Sequence, residues 1–269
     1  MPLAVCATPI GNLDDVTLRV LAELRAADIV LCEDTRHTRV LLERHGIRAR
    51  LLSYHEHNEA KRTAELLPRL ETGERIALVS DAGLPGINDP GARLISAARE
   101  AGVEVTVLPG ASAVETALVS SGLVGERYEF LGFLPRGERA LSGVWKELRA
   151  FPHPAVAFES PQRLPAALRS LAAVDPDRRI AVCRELTKRF EEVVAGTAAE
   201  LAARFAEPPK GEVTLVIGAA TRAGGGEADA DAAAAVAELV DAGTSRRVAA
   251  DVVSRLTGVA RNALYRRTL

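Results

Sequence analysis

Short apolar runs recur along the first half of the chain, each ending in a polar or glycine-rich stretch and followed by apolar residues three and four apart. Residues 3–7 form the first run. Leu18, Leu21 and Leu24 then recur at helical spacing, with Asp14 or Asp15 placed to cap that helix. Residues 28–33 form the second run, and the polar cluster Glu33-Asp34-Thr35-Arg36 opens a helix through Leu41 and Leu42. A third run at 49–53 precedes an amphipathic helix over 58–70. A strand over 76–80, a helix over 90–101 with Asp89 as its expected N-cap, a strand over 103–108 and a further helix complete the set. Apolar β-formers bounded by glycine and proline read as buried strands, and their alternation with helices predicts a parallel, helix-covered sheet.

The texture changes near residue 128. FLGFLPRGERA reads as a strand leaving a first domain, 1–134, through a Pro-Arg-Gly linker. A second α/β domain, 135–220, is expected to hold strands at 155–159, 179–183 and 213–218, separated by helices at 139–150, 161–173 and 198–205. A cleft between the halves is the default ligand site. Residues 221–226 form a flexible linker by composition. A tail at 231–269 follows: a helix over 232–241, a Gly243-Thr244 turn, Ser245 capping a helix over 246–256, a Thr257-Gly258 break and a last helix from Val259. Arg246, Arg247, Arg255, Arg261, Arg266 and Arg267 make it basic. This is the outline of a helix-turn-helix nucleic-acid module, and equally that of a solvated helical bundle.

The whole chain is not basic. Its 269 residues carry 34 Lys and Arg against 36 Asp and Glu, so any polyanion must be met by a local patch. Cys6, Cys32 and Cys183 lie far apart in or beside apolar runs, which predicts reduced core thiols and a cytosolic setting. Met1-Pro2-Leu3 leads almost directly into a strand without a basic leader, and no apolar run approaches membrane-spanning length. A soluble, unprocessed protein is expected.

The chain carries no GxGxxG after its first strand, no GxxxxGK[ST] and no GxSxG. His55-Glu56-His57 has no third ligand at suitable spacing, so a loop or helix-start role is preferred over a metal. What remains are small loops at strand ends: residues 8–11, 81–86 and 109–113. Ligands of open α/β sheets bind at that edge, glycines let a ligand approach the backbone, and Asp81 can accept from an amine or a ribose hydroxyl. The residues alone therefore describe a two-domain α/β enzyme that binds a small molecule.

The phrases ATPIGNLDDVTLRVL, CEDTRHTRVLL, SYHEHNE, VSDAGLPGINDPG, LPGASA, FLGFLPR, FESPQRL and RELTKRFEEVVAGT occur in this order. They resemble the ribosomal RNA small-subunit cytidine 2′-O-methyltransferases of the tetrapyrrole methylase superfamily, through nearly the whole chain up to Gly218. The resemblance implies a two-domain tetrapyrrole-methylase-like fold, S-adenosyl-L-methionine in the cleft, a homodimer, and methylation of one cytidine ribose in the decoding region of 16S ribosomal RNA, on free RNA or on the small ribosomal subunit. Carried onto this chain, it implies cofactor contacts at Pro9, Asp81, Gly83, Leu84, Ser112 and Ala113, and second-domain contacts at Phe158, Leu186 and Glu212 beside the adenosine. The helical tail, including Ala263-Leu264-Tyr265, resembles that family's tail.

The reaction so implied is an in-line displacement helped by a general base. Glu159, Glu185 and Lys188 are the candidates, each equally readable as an ion pair shaping the cleft. Lys188 acts as a base only if desolvation lowers its pKa, and otherwise binds phosphate. Arg36, Arg246, Arg247 and Arg266 are candidate RNA contacts, and Asp34 is a candidate helix cap. Two rival readings stand beside this one: a methylase of a tetrapyrrole precursor, and a helix-turn-helix regulator whose larger part senses a nucleotide.

Overall fold

The structure, a computed structural model, describes residues 2–220, 227–257, 259 and 261–267. The expected linker at 221–226 and the Gly258 break lie outside the described residues, as do the side chains of Ala263 and Arg267.

Five strands, β1 (Leu3–Cys6), β2 (Ile29–Cys32), β3 (Leu51–Ser53), β4 (Ile76–Leu78) and β5 (Val105–Leu108), form one parallel sheet in the order β3-β2-β4-β1-β5. The central strands β1, β2 and β4 are buried along their whole length, as their unbroken apolar sequences require. Side chains alternate between faces. Leu3, Val5, Ile29, Leu31, Ile76 and Leu78 pack under Leu66 and Leu70 of α3 (Glu59–Glu71) and Leu94 and Ala98 of α4 (Ala92–Glu100). Ala4, Cys6, Val30, Cys32 and Ala77 meet Val20, Leu21 and Leu24 of α1 (Leu18–Ala26) and Leu42 of α2 (Thr35–Arg44) on the other face. Each such leucine contributes about 1.5–3 kcal/mol by leaving water.

Two expected caps fall elsewhere. Thr17, not Asp14 or Asp15, caps α1, and the two aspartates lie in a 3₁₀ turn capped by Asn12. Asp89 does not cap α4. Gly91 holds that position at φ 140°, so the helix cannot begin until Ala92. Asp34 does cap α2, its carboxylate accepting from the Arg36 N–H.

The second sheet is mixed. Its strands are β6 (Glu129–Phe133), β7 (Ala155–Glu159), β8 (Arg179–Arg184), β9 (Glu192–Thr197) and β10 (Val213–Ile217), in the order β6-β7-β10-β8-β9. Only β6 and β7 run parallel, and every other neighbour is antiparallel. Strand β9 was not expected from the sequence. Register shifts between Phe130 and Phe133, and Gly132 takes up the extra residue at φ 68°. One face packs on Trp145 and Leu148 of α6 (Glu138–Leu148), Leu168 and Leu171 of α7 (Leu164–Val174) and Leu201 of α8 (Ala198–Arg204). The other face receives Ala117 and Leu118 of α5 (Ala113–Ser121), which meet Val156, Ala181 and Val216. Helix α5 thus joins the sheets into one compact unit ending at Ala219. The thiols of Cys6, Cys32 and Cys183 are buried and free, as expected.

A second unit begins at Ala220. Its helices α9 (Glu227–Asp241), α10 (Arg246–Thr257) and α11 (Arg261–Arg267) close on Val236, Ala249, Ala250, Val253, Val259 and Leu264. No helix among the described residues is long and apolar enough to cross a membrane.

Candidate functional site

The loops leaving β1, β4 and β5 are fastened to one another at the carboxyl edge of the first sheet. Thr8 N–H donates to Gly83 O at 2.8 Å, Gly83 N–H returns to Thr8 O at 3.1 Å, and Thr8 Oγ1 donates to Ser80 O at 3.0 Å. Facing them is the second sheet, and between the two lies a cavity of about 910 Å³. Ala7, Ile10, Leu84, Ala111, Phe130 and Phe158 supply much of its apolar wall, and Asp81 and Asp89 bring carboxylates to it. That volume sits at the upper end of the ~300–1,000 Å³ usual for ligand sites, and an apolar wall with a few placed polar groups suits a small organic molecule.

Asp81, Gly83, Leu84, Ser112, Ala113, Phe158, Leu186 and Glu212 all line this cavity. Pro9 does not. It is buried beside a separate small void with Thr8, Leu13, Thr38 and Leu41, and its chain neighbours Ala7 and Ile10 take the cavity wall instead. Asp81 Oδ1 accepts from Asp34 N–H at 3.2 Å, which ties the β4 loop to the end of β2. The Ser112 hydroxyl donates to Glu115, whose other oxygen accepts from Tyr128 OH at 2.6 Å. These hydroxyls hold the Glu115 carboxyl below its usual range.

The three candidate bases are all occupied. Glu159 reaches the cavity, but Oε1 accepts from Ser160 N–H and Oε2 from Arg163 Nη2, each at 2.6 Å. Glu185 and Lys188 stand off the cavity wall. Lys188 Nζ donates to Glu185 Oε1 at 2.8 Å and to Glu212 Oε2 at 3.0 Å. Burial works to lower the Lys188 pKa, yet its two carboxylate partners outweigh it and raise the value, so the condition for Lys188 to act as a base is not met. Glu185 is correspondingly held below the usual carboxylate range by Lys188.

The candidate RNA contacts differ in availability. The Arg36 side chain is 88% exposed but forked onto Asp34, at 2.7 Å from Nη2 to Oδ2. Arg247 and Arg266 are exposed, and Arg246 is half-buried, with Nε lacking a partner among the described residues.

As site residues, the sequence reading missed Asp89, Asn88, Phe130 and Phe133, the last two being the ring partners of the expected Phe158. Asp89 lines the cavity half-buried, its carboxyl pushed up to about 6 by burial and by the nearby charges of Glu33 and Asp81. Phe158 makes edge-to-face contacts with Phe130 and Phe133 at 5.1 and 5.5 Å, and Phe133 is 62% exposed at the cavity. Phe130 and Phe133 stand on a strand recognised in the sequence. The bulge at Gly132, which brings Phe133 opposite Phe158, had no local signal.

Residues 2–202 match the family described as Tetrapyrrole (Corrin/Porphyrin) Methylases. A curated protein of Micromonospora olivasterospora, "Ribosomal RNA small subunit methyltransferase I", is 44% identical over 98% of this chain and 85% of its own length. The protein of the same name from Escherichia coli O157:H7 is 41% identical over 99% of this chain and 94% of its own. Among solved structures, diphthine synthase superposes with a TM-score of 0.65 at 19% identity, covering 81% of this chain and 89% of that one. Uroporphyrin-III C-methyl transferase from Thermus thermophilus, complexed with S-adenyl homocysteine, does so at 0.57 and 16% identity, covering 82% and 98%. These likenesses share the paired-sheet fold. The chain belongs to the tetrapyrrole (corrin/porphyrin) methylase family, on the branch of the ribosomal RNA small subunit methyltransferase I proteins.

Proposed function

We propose that this chain transfers a methyl group from S-adenosyl-L-methionine to the ribose 2′-hydroxyl of a cytidine in the decoding region of 16S ribosomal RNA. The observation that carries the reading is the cavity: an apolar chamber at the carboxyl edge of the parallel sheet, with a carboxylate at Asp81 and an exposed aromatic at Phe133. Its relatives are named for ribosomal RNA methylation, and RNA loops are characteristically bound by stacking unpaired bases on aromatic rings.

In this reading Asp81 accepts from the amine or a ribose hydroxyl of the cofactor, Gly83, Leu84, Ser112 and Ala113 pack along it, and Phe158, Leu186 and Glu212 flank the adenosine. When bound, S-adenosyl-L-methionine supplies a methyl group made electrophilic by its sulfonium. The protein then holds the attacking oxygen in line and excludes water, and such orientation supplies up to about 7–11 kcal/mol in favourable intramolecular reactions. Residues 1–134 and 135–220 act as the two lobes of this site. The basic helices of the tail, with Arg246, Arg247 and Arg266, add phosphate contacts. The enzyme works in the cytoplasm as a homodimer.

Mass mapping of ribose methylation on small-subunit RNA, from cells with and without this protein, tests the reading. Loss of one 2′-O-methylcytidine is expected, and an unchanged map overturns the proposal. Labelled cofactor offered with small subunits or with uroporphyrinogen separates it from a tetrapyrrole methylase, for which the label would enter the porphyrinogen.

A further inference from the structure

The ionisable groups on the cavity wall differ sharply in how they are engaged. Asp81 accepts from the Asp34 main chain, Glu115 from Ser112 and Tyr128, Glu159 from Ser160 N–H and Arg163, and Glu212 from Lys188. The Cys183 thiol donates to Ala117 O, and burial pushes its pKa up to about 12, far too high for a thiolate at neutral pH. Asp89 alone among these cavity groups carries no hydrogen bond or ion pair with any described residue. Its chain neighbours, by contrast, have contacts of their own. Asn88 is held at φ 61° with its carboxamide against Gly132 of β6, where Oδ1 would stand 2.9 Å from an added Cβ. On the other side Gly91 N–H donates to Glu59 Oε1 at 3.0 Å, and the same oxygen takes Tyr54 OH at 3.1 Å.

Asp89 sits at the far end of one of the cofactor loops, the β4 loop that also carries Asp81, Gly83 and Leu84. Those loops leave β4, β1 and β5, which are adjacent, while β2 lies on the far side of β4. Burial and then the charges of Glu33, at the end of β2, and Asp81, after β4, raise the pKa of Asp89, which lies within reach of both strand ends. No lysine, arginine or histidine among the described residues pairs with it, and Glu59, a carboxylate beside the end of the same loop, is turned onto Gly91. An unpaired carboxylate on the wall of a cavity of about 910 Å³ is placed for an acceptor molecule.

We infer that Asp89 is the catalytic base that takes the proton of the ribose 2′-hydroxyl as methyl transfer proceeds. The inference rests on the functional reading above. The oxygen forms its new bond to the methyl carbon, the carbon–sulfur bond breaks with its electron pair left on sulfur, and the hydroxyl proton moves to Asp89. The neutral carboxyl then releases that proton to water through the open cavity. A base that titrates near 6 is ionised at neutral pH and still basic enough to share a proton in the transition state.

The test uses the full chain, small subunits and S-adenosyl-L-methionine, with Asp89→Asn and Asp89→Glu compared with the wild type. Calorimetry gives cofactor affinity, and single-turnover methyl transfer gives rate against pH. For Asp89→Asn the expected result is unchanged cofactor affinity, a rate lower by about 10²- to 10⁴-fold, and loss of the acid limb of the pH profile. Asp89→Glu should restore part of the rate and the limb. An Asp89→Asn protein that keeps the rate and the limb overturns the assignment, as does one that loses cofactor affinity in proportion to rate. If the wild type itself moves no methyl group to ribose, the functional reading fails first and this assignment falls with it.

Discussion

The main-chain N–H of Asn12 donates to Thr187 Oγ1 at 3.0 Å, tying the loop after β1 to the turn that leaves β8 on the second sheet. Glu185 and Thr187 hold that turn at φ 53° and 64°, a region that side-chain-bearing residues rarely enter. Gly11 lies so close that an added Cβ would stand 2.6 Å from Lys188 Cγ and 2.8 Å from Leu186 O. The side chain can swing aside; the carbonyl cannot move without the turn. Gly11→Ala is expected to cost about 1–3 kcal/mol as an overpacked contact and to weaken cofactor binding by displacing Ile10 and Leu186. Denaturant melts and calorimetry measure both, and a variant equal to the wild type in each would mean that the two loops are not clasped.

Asp81→Ala should lower cofactor affinity while the fold persists. A hydrogen bond to a charged group contributes about 1.5–3 kcal/mol, or roughly tenfold to a hundredfold in affinity. Asp81→Asn keeps an oxygen for Asp34 N–H and is expected to fall between the two. Unchanged affinity in the alanine variant would remove Asp81 from the site.

Glu159 is predicted to act on stability. Its side chain is buried and gripped by Arg163 and Ser160, so Glu159→Gln should weaken a hydrogen-bonded ion pair. Removing one partner of a fully buried pair costs about 3–5 kcal/mol, and the partial exposure of Arg163 reduces this to about 1–3 kcal/mol. Urea midpoints should fall while turnover per folded molecule holds. A stable variant with collapsed turnover would return Glu159 to the list of bases.

Asp89 should carry a pH-dependent penalty. Its folded-state pKa is raised from the ordinary 3.8 to about 6, so the fold favours the neutral carboxyl. The associated stability is present in full below the unfolded value and disappears as pH rises through about 6. Asp89→Asn is therefore expected to melt higher than the wild type at neutral pH and to match it in acid. The gain should be about 1–2 kcal/mol after discounting for partial exposure. Parallel melting curves that do not converge in acid would contradict this.

Deleting the chain after Ala220 should weaken binding to small-subunit RNA more than binding to the cofactor. Among the described residues, those that line the cavity all precede that point, whereas Arg247 and Arg266 lie beyond it. Filter binding and calorimetry on the truncated protein make the comparison. An equal loss of both affinities would count against a separate role for the tail.

The strands of the first sheet were legible because β1, β2 and β4 are buried on both faces, so each reads as an unbroken apolar run that ends where a glycine-rich loop begins. The same loops gave most of the cavity wall. Strand β9 was hidden: it is a half-buried edge strand, EVVAGT, directly after the charged stretch Lys188-Arg189-Phe190-Glu191, and its pattern fits either a strand or a loop. The antiparallel order β7-β10-β8 depends on pairing between distant segments, which leaves no local trace. Asp89-Pro90 looked like a helix start, but the φ of Gly91 postpones the helix and leaves the aspartate free. Its proximity to Glu33 and Asp81 is a property of neighbouring strand ends that only the folded chain reveals.

The three sealed sulfurs have a use of their own. Cys6 and Cys32 report from one sheet and Cys183 from the other, and none has a second sulfur to pair with. Burial pushes Cys6 and Cys183 up to about 12, so an alkylating reagent finds almost no thiolate while the cores stay packed. Each modified cysteine therefore dates the loosening of its own sheet, and the chain comes with a built-in clock for which sheet breathes first.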